Sequence, residues 1–274
     1  MLQTFFIFPI LIFILGISLG SFSGVIQYRV RTKKKGIFFG RSACSHCKHP
    51  LKSKDLFPLL SYIFLLGKCR YCEKKIGFHS FLMELMMGTI AVFLFFKFPF
   101  FIEPISSLQN LQFDWQNLGL FFLYLVVSFF LVGIFFYDLQ YLEIPDVFLF
   151  PLIPITFLGN IFFAQGNIID MFFAGAIALV FFGGQIFLSK GKWLGEGDLY
   201  LGFSMAFLFG WKLFLLSLVM TYFIGALVSI VLLLSKKVQA KSKVPFAPFM
   251  VAGTFVTIFY GIIILNWYLN VLAL

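Results

Sequence analysis

The chain has 274 residues, 61% of them hydrophobic and 43 of them Phe, with 21 Lys and Arg against 11 Asp and Glu. A soluble domain of this length has no interior large enough for that apolar load, and repeated apolar runs of about 18 residues or more mark membrane helices. The net charge of +10 is accounted for by membrane orientation and contact with membrane lipids, and the aromatic residues lie in the apolar runs rather than among the basic ones, so no nucleic-acid partner is expected.

In chain order, the apolar runs predict eight spans, at about 4–27, 80–101, 117–137, 147–165, 169–189, 198–211, 213–235 and 247–270. The first has no Lys or Arg before it and Arg29, Arg31, Lys33, Lys34 and Lys35 after it. That is the reverse of a signal peptide and reads as a retained helix with its N-terminus outside. Eight spans return both termini to one side. Thirteen Lys and Arg lie in residues 29–80; Lys190, Lys192, Lys236, Lys237, Lys241 and Lys243 fall on the same side, and only Lys97 and Lys212 on the other. Positive charge stays in the cytoplasm, so residues 28–79 are expected to form a cytoplasmic insert.

That insert is too small to build much of a core and needs a staple. All four cysteines are in it, as CSHC from Cys44 to Cys47 and CRYC from Cys69 to Cys72. Two Cys-x-x-Cys turns let four sulfurs converge on one tetrahedral ion, which predicts a structural zinc site on Cys44, Cys47, Cys69 and Cys72. The rival is a pair of disulfides, which a reducing compartment disfavours. His46, His49 and His79 are read as solvated or as neighbours of the ligands, since four thiolates already satisfy the ion. The expected fold is thus an all-α integral membrane protein of about eight transmembrane helices with a small zinc-stapled cytoplasmic insert. Its segments are 1–27, the first helix; 28–79, the insert; and 80–274, a polytopic membrane domain.

No His lies beyond residue 79 and no Cys lies in the spans. A serine, thiol or His-based metal protease site is therefore missing from the membrane part, and acid–base chemistry there falls to carboxylates. Glu84, Asp138, Glu143, Asp146, Glu196 and Asp198 lie at or inside the boundary, where ionisable groups are costly. Asp138 ends the third span in YDLQYLEIPD (137–146), and Asp198 opens the sixth in GEGD (195–198). Two crossings between them return the chain to the same face, where two carboxylates can share a proton as aspartic proteases require. Gly195 and Gly197 are expected to permit close backbone approach and unusual dihedrals. The plainer reading of GEGD is a loop capped by Asp198 at a helix start. Glu84 reads equally as a substrate-positioning group or an interfacial side chain, and Glu143 and Glu196 as hydrated boundary residues. Pro245 and Pro248 open the last helix or guide a substrate strand.

Five stretches in order, LGSFSGVIQYRV (19–30), the cysteine insert with LFPLLSYIFLLGKCRYC (56–72), FLMELMMG (81–88), YDLQYLEIPD and GEGD, resemble the motifs of the type IV prepilin peptidases, GxGD aspartic proteases of the membrane. The resemblance implies cleavage of the basic leader of prepilin or pseudopilin precursors, after a glycine, at the cytoplasmic face of the bacterial inner membrane. In many members the same protein methylates the new N-terminus with S-adenosylmethionine. It implies that Asp138 and Asp198 are the catalytic pair, that Asp146 aligns with a recurring non-catalytic Asp, and that the four cysteines are the zinc site. The chain departs from the pattern at Gly24, often Asn, and at Tyr200, often Lys. Because leader and insert are both basic, anionic lipid or acids such as Glu196 are expected to mediate the approach. The alternative is a zinc-clipped transporter or assembly scaffold that uses the aspartates for ion passage.

Overall fold

The computed structural model describes residues 2–33, 36, 40–102, 112–235 and 244–272. Lys34, Lys35, Glu103 and the four lysines of 236–243 lie outside them. Among the described residues, seven helices are long and apolar enough to cross a membrane, and the chain is a multi-pass membrane protein. It divides into two compact units, Met1–Phe136 and Tyr137–Leu274.

The first unit holds α1 (Leu2–Arg31), the insert with the five-residue α2 (Leu60–Phe64), α3 (Phe78–Lys97), and most of α4 (Trp115–Tyr141). Two-residue strands β1 (Phe101–Ile102) and β2 (Gln112–Phe113) pair antiparallel between α3 and α4. Helices α1 and α3 meet through small residues. A Cβ placed on Gly16 would lie 2.7 Å from the Gly88 Cα, and one on Gly20 would lie 2.8 Å from the Glu84 Cα. Where lipid tails are as apolar as Leu, such close approach is what gains packing energy. Gln27 on α1 donates to the Gly133 carbonyl of α4 at 3.0 Å, pairing a buried amide that would otherwise be costly. Asp114 starts α4 by accepting the Gln116 and Asn117 N–H groups, each at 3.0 Å.

The second unit holds the end of α4 with α5 (Asp146–Gly159), α6 (Ile168–Ala178), α7 (Gly184–Ser189), α8 (Glu196–Leu234) and α9 (Ala247–Leu272). Wide π-type turns follow α5 at Asn160–Ala164 and separate α6 from α7 at Leu179–Gly183. The 39 residues of α8 would span roughly 58 Å as one straight helix, about twice the hydrocarbon thickness. They do not run straight. Gly210 sits at φ 66°, ψ 176°, a conformation that glycine alone adopts easily. Phe182 faces both Gly202 and, at 6.5 Å between ring centroids, Phe246; Phe246 lies 5.4 Å from Tyr222. Residues 202 and 222 would be roughly 30 Å apart on a straight helix. The chain therefore turns back at Gly210, and α8 is a hairpin of arms 196–209 and 211–234. The eight expected spans are present as seven long helices, one of them broken.

The break frees carbonyls at the end of the first arm. Asn160, buried in the wide turn after α5, donates its Nδ2 to the carbonyls of Phe207 at 2.7 Å and Leu208 at 3.0 Å. In a membrane, where no water substitutes, that side chain is what satisfies the interrupted backbone.

Candidate active site

The dyad candidates both fall in the second unit. Asp138 stands one turn before the end of α4, and Asp198 in the first turn of α8; their relative exposures are 5% and 9%. The charge of Asp138 acts on Asp198, so the two carboxylates are electrostatic neighbours. Each is held by a backbone N–H at a helix start. Asp198 Oδ2 accepts from Gly195 at 3.0 Å, and Asp138 Oδ2 accepts from Ala247 at 3.2 Å. The first N–H groups of a helix have no intrahelical partner, so they are natural donors to a carboxylate. Among the described residues, neither Oδ1 takes a protein hydrogen bond. This leaves one oxygen on each acid for a water or a peptide carbonyl.

The two aspartate motifs also pack against each other. A Cβ on Gly197 would lie 3.1 Å from the Ile144 Cβ. The glycine is thus explained by close approach. Gly195 has φ −88°, ψ 164° and Gly197 is helical, so the expectation of unusual dihedrals at these two positions is not met. The plainer reading of GEGD holds in part, because Asp198 does reach back to the N–H before its helix. Proline enters as the sequence suggests: α9 begins at Ala247 with Pro248 next, and it is Ala247 that keeps the donor for Asp138.

The remaining acids separate by burial. Glu196, Asp146 and Glu143 are exposed at element ends. Glu84 is buried in the first unit, where its Oε2 accepts the Leu59 N–H at 2.7 Å. Tyr200 lies 5.9 Å from the Phe150 ring, an aromatic contact at the position where the resemblance leads one to look for a cation. Beyond these, Tyr222 donates to the Gln185 Oε1 at 3.1 Å and feels the charge of Asp198. Neither residue was visible from the sequence, since Tyr and Gln at boundaries are common.

In the insert of the first unit, one sulfur atom from each of Cys44, Cys47, Cys69 and Cys72 lies within 4.8 Å of every other. Cys44 and Cys72 are 3.9 Å apart, near the edge of about 3.8 Å that four ligands at 2.3 Å from one ion would form. None is in a disulfide. The two turns share one backbone design. Cys44 N–H donates to His49 and Lys48 N–H to Cys44; Cys69 N–H donates to Lys74 and Glu73 N–H to Cys69. Lys48 and Glu73, each four residues after the first cysteine, have φ of 60° and 57°. An antiparallel bridge closes each turn, Ala43 with Pro50 and Lys68 with Lys75. Burial pushes the Cys44 thiol up, but the N–H groups of Cys47 and His46 and the adjacent sulfurs outweigh it and bring it down to about 7. The Lys74 N–H pulls Cys72 down, yet burial and the other three sulfurs raise it to about 11. Four sulfurs so crowded cannot all ionise without a cation, and this cluster can hold a metal ion. His49 is accounted for by its contact with Tyr71, the two rings tilted by 34° with centroids 3.8 Å apart.

Residues 14–98 match the family model described as Bacterial Peptidase A24 N-terminal domain, and residues 124–230 match that of the Type IV leader peptidase family. The chain is similar to proteins named prepilin leader peptidase/N-methyltransferase. With that of Aeromonas hydrophila it is 27% identical over 84% of this chain and 75% of the relative. With that of Legionella pneumophila the figures are 26%, 89% and 80%, and with that of Bacillus subtilis 25%, 95% and 97%. No solved structure matches. Both aspartate motifs lie within the second matched segment and all four cysteines within the first, and the chain belongs to the type IV leader peptidase family.

Proposed function

We propose that this chain is the aspartic endopeptidase that removes the leader from prepilin-like precursors at the cytoplasmic face of the inner membrane, with Asp138 and Asp198 as its catalytic pair. The observation that carries the reading is the junction of YDLQYLEIPD with GEGD, where Gly197 packs on Ile144: each motif brings one buried acid, and each acid has one oxygen fixed by a backbone N–H. Family membership and the relatives' names support the substrate class.

In this reading one aspartate is ionised and the other protonated. The ionised carboxylate takes a proton from a water as its oxygen attacks the scissile carbonyl carbon. The protonated one gives its proton to the carbonyl oxygen. The tetrahedral intermediate then collapses: the C–N bond breaks, the carboxyl that took the water proton gives it to the leaving amine, and a hydroxyl proton of the intermediate returns to the other carboxylate, which restores one ionised and one protonated acid. The Gly195 and Ala247 N–H groups hold the two acids in orientation through the cycle.

The cytoplasmic placement rests on charge. With both termini outside, the insert, the loop of Lys190 and Lys192, and the four lysines of 236–243 share the dyad's side of the membrane. Lys212, beside the Gly210 turn with its Nζ 5.6 Å from the Trp211 ring, falls at the opposite interface. Cys44, Cys47, Cys69 and Cys72 would hold a structural zinc ion, which supplies rigidity to the insert and no chemistry to the peptide bond. We extend the proposal to N-methylation of the new terminus with S-adenosylmethionine on the relatives' names alone. The chain's own residues are assigned no role in it.

Reconstitution in liposomes with a prepilin precursor, followed by mass spectrometry of the product, tests the reading. A product shortened by its leader is expected, with its N-terminus reporting both the cleaved bond and any added methyl group. Ion movement without cleavage would favour the transporter alternative.

A further inference from the structure

The insert carries a ridge of apolar side chains that the peptidase reading does not use. Leu56, Phe57, Leu60, Ile63, Phe64 and Leu66 are all exposed within eleven residues, Phe64 at 79% and Leu66 at 84%. A hydrophilic module gains nothing by presenting such a patch to water, and a contiguous one marks an interaction surface. The backbone is bent to present it. Leu59 and Leu66, which bracket α2, have φ of 58° and 50°, positions that a bulky residue occupies only at a cost in strain.

Contacts within the first unit fix the ridge at the depth where α3 begins. The Tyr62 ring lies 6.3 Å from Phe78 and 5.2 Å from Phe81, the first and fourth residues of that span. Glu84, on the next turn, accepts the Leu59 N–H. The segment therefore runs beside the first two turns of a membrane helix, and both ends of the insert lead directly into spans. Charge complements the apolar face. Residues 40–77 hold eight Lys and Arg against two acids. Asp55 is tied to Arg70 at 2.7 Å and to Tyr71 at 3.0 Å. Lys52, Lys54 and Lys68, on either side of the ridge, are exposed.

We infer that residues 56–66 lie in the headgroup interface of an anionic bilayer, with Phe64 and Leu66 in the acyl boundary and Lys52, Lys54 and Lys68 on the lipid phosphates. Apolar side chains enter that boundary by about 5–10 Å, and basic neighbours add attraction to anionic lipid. The membrane thereby becomes a third support for the insert, besides its metal cluster and its contacts with α3. The inference rests on the membrane character of the chain and not on its catalytic activity.

The test uses the full chain in nanodiscs, with an environment-sensitive fluorescent amino acid in place of Phe64, which leaves the four cysteines untouched. Lipids brominated near the top of the acyl chain should quench the probe as they quench the same probe at Phe187, an exposed residue of the α6–α7 span. Quenching should fall by about twofold or more when anionic lipid is replaced by zwitterionic lipid, and Lys52→Gln with Lys54→Gln and Lys68→Gln should abolish that difference. Absence of bromine quenching overturns the inference. Iodide quenching from the water would then mean that the ridge is open to solvent. Shielding from both quenchers would mean that a second copy or a precursor covers it. Equal quenching in the two lipids would overturn the role given to the lysines.

Discussion

Asn160 carries two backbone carbonyls on one amide. Asn160→Leu keeps the branching at Cγ and removes the Nδ2 donor group. It should destabilise the fold by about 1–3 kcal/mol in a lipid-based unfolding assay, while Asn160→Gln recovers part of the loss. At Asp55, burial pushes the carboxyl up, but the donors Arg70, Tyr71 and Lys52 outweigh it and hold it below the usual carboxylate range. A depressed carboxyl stabilises above its unfolded value of about 3.9 and stops doing so as pH falls through the folded one. Protease resistance of the insert should therefore be flat from neutrality to about pH 5, and the Asp55 contribution should be lost only below about pH 4. The acids were legible in the sequence because charge is rare in apolar runs and hence conspicuous. Asn160 gave the same kind of signal, a lone amide in FLGNIFF, but its task depends on a break fifty residues away. The Ala247 N–H that holds Asp138 left no signal at all, since every residue but proline has one.

Gly210 decides whether residues 196–234 form one rod or a hairpin. Nothing crowds it: a Cβ there would meet only the Asp170 Cβ, at 3.7 Å. The cost of Gly210→Ala is thus conformational and should amount to about 1–3 kcal/mol, seen as a lowered unfolding midpoint at unchanged helix content. The division between the expected sixth and seventh spans, at residue 212, lies within two residues of the turn. The apolar runs could not reveal the backbone geometry of the break, because a single Lys212 between two runs fits a kinked rod as well as a hairpin. In the insert the cysteine spacing was enough to read the cluster. The repeated backbone pattern of the two turns, with Lys48 and Glu73 at positive φ, required coordinates. Chelation should leave all seven long helices in place and expose the insert to proteolysis between residues 40 and 77, and zinc should restore it. A chelated protein with an unchanged cleavage pattern would remove the staple from this account.

Across the whole molecule, the asymmetry of charge predicts an orientation with both termini outside. Alkaline phosphatase fused after residue 274 should be active in cells, and fused within 236–243 inactive; the opposite pattern would invert the topology. The charge asymmetry behind this expectation was legible because Lys and Arg counts need no folding to read. The pairing of the two aspartate motifs was legible only as a parity argument, two crossings and a return. What the coordinates add is the physical junction: Gly197 against Ile144, and a helix start against each acid. The central claim is that Asp138 and Asp198 form one catalytic unit, and single-turnover cleavage of a precursor in liposomes addresses it most directly. The parent, Asp138→Asn and Asp198→Asn should fold alike by circular dichroism. Each variant should lose about 10²–10⁴-fold in rate, and the double variant little more than either alone. Parent-like cleavage by either single variant, at equal helix content, would contradict the dyad.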